Sequence, residues 1–381
     1  MKFNKSQISH YFIFSISAIN YFIAIFFRKT SKRQNENILL FGHKLTGNLE
    51  AIFLDERLSQ NKFLYITLNY QDYSRLKKIY GDKILCSLNV FQLTKGLMSK
   101  TIIASHGIFL HKIILKLGIN TIYCGHAIHG SIPENKLKDK RFYELFNEVW
   151  LHSEYDKTIL TKERGCKPSN LKTFGFVRNQ KMLEDYRYSE KIKAKNGIAN
   201  KKIILYAPTS DRNNDDYRKS IFSITNINFY EQMLKALLNS DIILLIKAHL
   251  NDQISQDIKS LIKDSENIKF QDELNLTNDY ESLVISDVLI TDYSTIYVDY
   301  LLLEKPIFLI NNPNPFPRKW VMSSILKNVQ LPKIRDLSDF ENLFENLKYQ
   351  KLETKNIKKL KNNIYKNQNL FNIISEIQKR V

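Results

Sequence analysis

Residues 286–306 read Ser-Asp-Val-Leu-Ile-Thr-Asp-Tyr-Ser-Thr-Ile-Tyr-Val-Asp-Tyr-Leu-Leu-Leu-Glu-Lys-Pro. The run from Asp287 to Thr291 is apolar and of strand length. It turns polar at Asp292-Tyr293-Ser294-Thr295. An apolar stripe then resumes through Ile296, Val298, Leu301, Leu302 and Leu303. A buried strand that ends in an acid, a phenol and two hydroxyls where a helix begins has the pattern of a βα junction in a parallel sheet. Two readings fit that junction. A helix start there exposes the Ser294 and Thr295 backbone N–H groups, and their hydroxyls add two more donors, which suits a phosphate. Alternatively, Asp292 or Ser294 is an ordinary helix cap. Asp299, on the same helix, has the same two options: to hold a cation or ligand hydroxyl, or to balance the helix dipole.

The same grammar recurs in both directions. Short apolar runs at Asn37–Gly42, Phe63–Leu68, Lys83–Cys86, Thr101–Ser105, Thr121–His126 and Glu148–His152 alternate with helical patterns. From about Gln180 to Asn200 the chain is charged and nearly strandless. The alternation then restarts at Lys202–Tyr206, Ile242–Lys247, Asn267–Phe270, Asp287–Thr291 and Pro306–Ile310. This predicts an α/β protein of two Rossmann-like, doubly wound domains facing a cleft. The expected parts are an N-terminal segment, 1–35, a first domain, 36–180, a linker, 181–200, a second domain, 201–345, and a basic helical region, 346–381. Ligands of such sheets bind outside the carboxyl ends of the strands. Polar clusters fall there repeatedly, at His43–Asn48, Ser105–Gly107, His126–Ser131, Pro208–Arg212, His249 and Asp292–Thr295.

The bulk numbers narrow the class. The chain has 381 residues, a formal charge of +18 and a pI near 9.5. That field favours anionic partners. Zinc-finger spacing, an RRM signature and an arginine-rich arm are all missing from the sequence, so nucleic acid is not the expected partner. Cys86, Cys124 and Cys166 are scattered and odd in number, which argues against a disulfide framework and for a reducing compartment. No metal and no cofactor is expected. Tyr11–Phe27 reads YFIFSISAINYFIAIFF, followed by Arg28, Lys29, Lys32 and Arg33. Seventeen residues sit at the short limit for a span, and the aromatic content suits an interface. We read it as an interfacial or shallowly inserted anchor at the cytoplasmic face of an anionic membrane. A true span and a buried first helix are the alternatives.

Several strand ends carry candidate chemistry. Lys247 and His249 follow one strand and share a side by its period of two. Arg212 ends the turn Pro208-Thr209-Ser210-Asp211 and has the fork geometry for phosphate. His126 and His129 lie beside Gly125 and Gly130, where imidazole is the natural base near neutral pH. Arg178 closes Phe174-Gly175-Phe176-Val177-Arg178-Asn179. Turn chemistry or a satisfied histidine accounts for any one of these alone.

Taken in order, GHKLTGN (42–48), IHGSI (128–132), GFVRNQ (175–180), ILYAPTSDR (204–212), LLIKAH (244–249) and the block at 286–308 resemble the CDP-glycerol glycerophosphotransferase family of teichoic-acid primases and polymerases. The resemblance runs from about Asn37 to Leu309. It implies a GT-B fold without a metal site, and transfer of an alditol phosphate from a CDP-activated donor to a hydroxyl of a lipid-linked or polymeric glycan, with release of CMP. It implies His129 as the general base and His249, Ser294 and Thr295 on the donor pyrophosphate. Arg212 and Lys247 join them as phosphate contacts, while Asn48, His126, Arg178, Asp292 and Asp299 line the cleft. Ile128 stands where the family usually has Trp and Leu250 where it has Pro, so glycerol, ribitol or another unit stays open. A nucleotide-sugar glycosyltransferase and a non-catalytic scaffold are the competing expectations.

Overall fold

The computed structural model describes residues 8–31, 35–58, 62–67, 69–125, 140–163, 165–208, 222–248, 254–292, 294–310, 330–349, 352–366, 370 and 372–379. Within them the chain forms two compact units. The first is built from the chain up to Gln180 together with the helix Ile373–Gln378, and the second from Lys181–Lys366.

Strands β1 (Asn35–Phe41), β2 (Phe63–Thr67), β3 (Ile84–Cys86), β4 (Ser99–Ala104), β5 (Asn120–Tyr123), β6 (Glu148–Trp150) and β7 (Leu171–Lys172) make the first sheet. Their spatial order is β3-β2-β1-β4-β5-β6-β7, and every ladder is parallel. Helices cover both faces, so the inner strands are apolar throughout and do not alternate. Ile38 and Leu40 pack with Tyr65, Ile103 and Ile122 on one face. Leu39 packs with Ile66, Leu85 and Ile102 on the other. The second sheet repeats the plan with β8 (Lys202–Tyr206), β9 (Ile242–Ile246), β10 (Ile268–Phe270), β11 (Val288–Thr291), β12 (Ile307–Ile310) and β13 (Lys333–Ile334), in the order β10-β9-β8-β11-β12-β13. In each sheet the winding reverses once, between β1 and β4 and between β8 and β11. Those are the topological switch points, where crevices open at the carboxyl edge.

The N-terminal segment differs from the expectation of a separate membrane-associating piece. It lies in one helix, Ile8–Thr30, docked onto the first unit. Tyr21 and Ala24 are buried in that unit's core, and the Tyr21 ring meets Phe109 edge-on at 5.0 Å. Asn20 Nδ2 donates to the Leu88 carbonyl at 2.7 Å, and Arg28 Nη1 to the Met98 carbonyl at 3.2 Å. No described helix is long and apolar enough to cross a membrane. Small or hydrogen-bonding residues on one side let this helix close against protein, an option that its overall hydropathy hides.

The stretch read as a linker is helical, Val177–Tyr186 and Ser189–Lys195. Lys193 is buried and pairs with Asp287 at 3.4 Å, which also accepts from the Ile203 N–H at 2.8 Å. Its charges belong to a packed helix, not to a free tether. In the C-terminal region the helix Lys355–Ile364 buries Ile357, Leu360 and Ile364 and leaves Lys358 and Lys359 exposed. Tyr365 Oη donates to the Val298 carbonyl at 3.0 Å, and Lys361 pairs with Glu304 at 2.6 Å.

Candidate active site

At the switch point of the second sheet, β8 and β11 are pinned together beyond their ladder. The Ala207 N–H donates to the Ile290 carbonyl at 2.9 Å, and the buried Thr291 hydroxyl donates to the Ala207 carbonyl at 2.6 Å. Asp292 follows, buried, and its Oδ1 accepts the Ser294 N–H at 2.9 Å. The helix starts only at Ile296 and runs to Tyr300. This corrects the simplest form of the phosphate-grip expectation, because the Ser294 N–H closes a turn onto Asp292 and is not presented as a helix-start donor. Ser294 and Thr295 are half-buried one turn outside the strand end. What Ser294 offers a ligand is therefore its hydroxyl. Asp299 is buried on the short helix behind them.

Lys247 leaves the end of β9, where its N–H donates to the Tyr206 carbonyl at 2.9 Å. Its ammonium donates to Gln271 Oε1 at 2.8 Å and to the Asp279 carbonyl at 3.3 Å. The head thus lies toward the segments following β10. His249, Arg212 and Tyr293 lie outside the described residues.

The first unit places its polar residues at the other switch point. Asn48 is buried and joins three segments. Its Nδ2 donates to the Cys124 and Gly125 carbonyls at 2.9 and 3.1 Å, and its Oδ1 accepts the Arg178 N–H at 3.4 Å. The Arg178 guanidinium lies 4.6 Å from the Phe176 ring centroid. A side chain at Gly47, where φ is +61°, would stand 3.7 Å from Arg178 Nη1. Asn48 and Arg178, two of the residues expected in the site, are thereby brought together. Burial pushes the neighbouring Cys124 thiol up to about 12, so it stays protonated and is no nucleophile. His126 and His129 follow Gly125 but lie outside the described residues.

Two residues that the sequence reading noticed only as part of polar clusters also meet here. The His43 and His106 rings are 4.6 Å apart, and Ser105 Oγ lies 2.9 Å from His106 Nδ1. Their equal offset from strands β1 and β4 is the signal that would have paired them, once the strand order was known.

Parallel sheets wound in this order, with polar residues at each reversal, define an α/β protein of the GT-B-like class. A family model for CDP-glycerol:poly(glycerophosphate) glycerophosphotransferase matches residues 92–312, and the chain belongs to that family. It is therefore a transferase. It is 27% identical over 331 residues to the teichoic acid glycerol-phosphate primase of Bacillus subtilis (strain 168), covering 80% of this chain and 79% of that one. It is 34% identical over 143 residues to the teichoic acid poly(glycerol phosphate) polymerase of Bacillus spizizenii, over 36% of this chain and 34% of that one. Its fold is similar to that of the wall teichoic acid polymerase TagF, with a TM-score of 0.68 at 14% identity, over 98% of this chain and 97% of that one.

Proposed function

We propose that this transferase moves a glycerol-phosphate unit, or another alditol phosphate, from a CDP-activated donor to a hydroxyl of a lipid-linked or polymeric glycan, and releases CMP. The observation that carries the reading is the 286–308 block: the family's most specific motif occupies the switch point of the second sheet, within the matched residues. The donor pyrophosphate rests on the Ser294 and Thr295 hydroxyls, with His249 and Arg212 contributing charge, while Lys247 stays engaged with Gln271 and Asp279. Asp292 holds the Ser294 turn in shape, and Asp299 backs it. The acceptor hydroxyl gives its proton to His129 as its oxygen bonds to the β-phosphorus. The bond from that phosphorus to the bridging oxygen breaks, and CMP departs with the electron pair. Hydrogen-bond donors aimed at the leaving phosphate stabilise the charge that develops. Asn48 holds the segment that leads into His126 and His129, and Arg178 sits beside it.

The setting we propose is the cytoplasmic face of an anionic membrane. Beside its docked face, the first helix exposes Ile19, Phe22, Ile23, Phe26 and Phe27. An apolar helix face next to Lys29 on a chain of charge +18 suits shallow burial among anionic headgroups.

Donor binding tests the reading. Calorimetry with CDP-glycerol and CDP-ribitol should show binding that weakens about tenfold in Ser294→Ala, the loss of one charge-assisted hydrogen bond. Binding of UDP-sugars in place of either CDP-alditol would instead favour a sugar transferase.

A further inference from the structure

We propose that His43 and His106 form a second anion subsite, in the first unit, that holds a phosphate group of the acceptor. The assignment to the acceptor rests on the transferase reading above; the subsite itself rests on the following geometry. Phe41 and Ala104 are register partners across the β1–β4 ladder. His43 and His106 each lie two residues further on, past the strand ends, at the point where the winding reverses. The rings are 4.6 Å apart between centroids and inclined at 58°.

The close approach is built in by the neighbours. A side chain at Gly42 would fall 2.5 Å from Leu49 Cδ1 and 3.0 Å from Ser105 Oγ, so a larger residue would have to push Leu49 or Ser105 aside for the His43 segment to lie this close. The Ser105 N–H donates to the Phe41 carbonyl at 3.2 Å, and its hydroxyl lies 2.9 Å from His106 Nδ1. That contact fixes the orientation of the ring. The pair is not core packing. His111 and His152 are buried histidines, whereas His43 is exposed and His106 only half-buried. On the far side of the same loop, Arg178 lies against Gly47. The loop from His43 to Gly47 is thus flanked by two imidazoles and a guanidinium.

Two adjacent imidazoles repel when both are protonated, and an anion with several acceptor oxygens relieves that repulsion by taking an N–H from each. A tetrahedral oxyanion fits. A metal does not, because no third His, Cys, Asp or Glu joins them among the described residues. A growing alditol-phosphate chain carries a phosphodiester one unit behind its reacting hydroxyl. The subsite would hold that group and thereby select acceptors that are already phosphorylated.

The test uses the full-length protein with ¹⁵N-labelled histidine, assigned with His43→Gln and His106→Gln. Titration with glycerol 3-phosphate should shift the ring nitrogens of both residues, and glycerol should leave them in place. Unmoved rings at millimolar glycerol 3-phosphate would overturn the subsite whether or not the protein turns over. In parallel, with CDP-glycerol as donor, His43→Gln/His106→Gln should raise the KM for a glycerol phosphate oligomer at least about tenfold and leave the donor KM within about twofold. An unchanged oligomer KM would also overturn it. Failure of the wild-type protein to release CMP from either CDP-glycerol or CDP-ribitol would sink the CDP-alditol reading. It would restrict the subsite to the phosphate binding that the titration reads.

Discussion

Asn48 does with one amide what a loop of this length cannot do by itself. Its side chain reaches carbonyls 76 and 77 residues away at Cys124 and Gly125, and it receives the Arg178 N–H 130 residues away. Asn48→Ala leaves two carbonyls and an N–H without that partner in a buried place. The expected cost is about 1–3 kcal/mol of stability, read as a lower urea midpoint. Turnover should fall further than stability explains, because the released segment leads into His126 and His129. Thr291→Val makes the matching test in the second unit. Losing the donor to the Ala207 carbonyl should cost about 1–2 kcal/mol and loosen the β8–β11 edge. At this scale the sequence was legible only in part. Motif order marked Asn48, Arg178, Asp292 and Ser294 as site residues. It could not show that Asn48 works through its amide across distant segments, or that Asp292 takes up the Ser294 N–H, since both depend on contacts that spacing does not encode.

The first helix has a buried face and an exposed apolar face, and the proposed membrane setting assigns a role to the second. Tyr21→Ala should cost about 3 kcal/mol, because it empties a fully buried aromatic site. Phe22→Asp/Phe26→Asp should leave the urea midpoint unchanged within about 0.5 kcal/mol, as expected for exposed positions. The same variant should lose sedimentation with vesicles containing phosphatidylglycerol. Retained sedimentation would count against the membrane-facing assignment. The helix His111–Lys116 supplies a pH test. Burial pulls the His111 imidazole down to about 4, below the roughly 6.5 of an unfolded chain. Between those values the unfolded chain holds the extra proton, so this contribution is intact above pH 6.5 and is lost as pH falls toward 4. Urea unfolding at pH 7.5 and at pH 5 should show a loss that His111→Phe reduces. Elements with a buried, uninterrupted apolar run were readable, and Lys202–Tyr206 was placed to the residue. The helix Tyr70–Tyr80 was not, since it buries only Asp72 and Leu76 and has almost no apolar period. The edge strands Leu171–Lys172 and Lys333–Ile334 are too short to leave a pattern.

Across the whole molecule, the same winding appears twice, and in each unit the described polar clusters gather where it reverses. That repetition was visible as polar residues following apolar runs in both halves. The return of the Ile373–Gln378 helix to the first unit was not, because its Ile373, Ile374 and Ile377 pack against a core whose other buried members lie between Ile38 and Val177. The family match, residues 92–312, spans residues of both units. The decisive measurement is the identity of the nucleotide released when purified full-length protein is incubated with CDP-glycerol and a glycerol phosphate oligomer. CMP in step with oligomer extension, reduced about 10²–10⁴-fold in His129→Ala, is the result predicted for β-phosphorus attack assisted by a base. No CMP from CDP-glycerol or CDP-ribitol, or a nucleoside diphosphate released from a sugar donor, would contradict it.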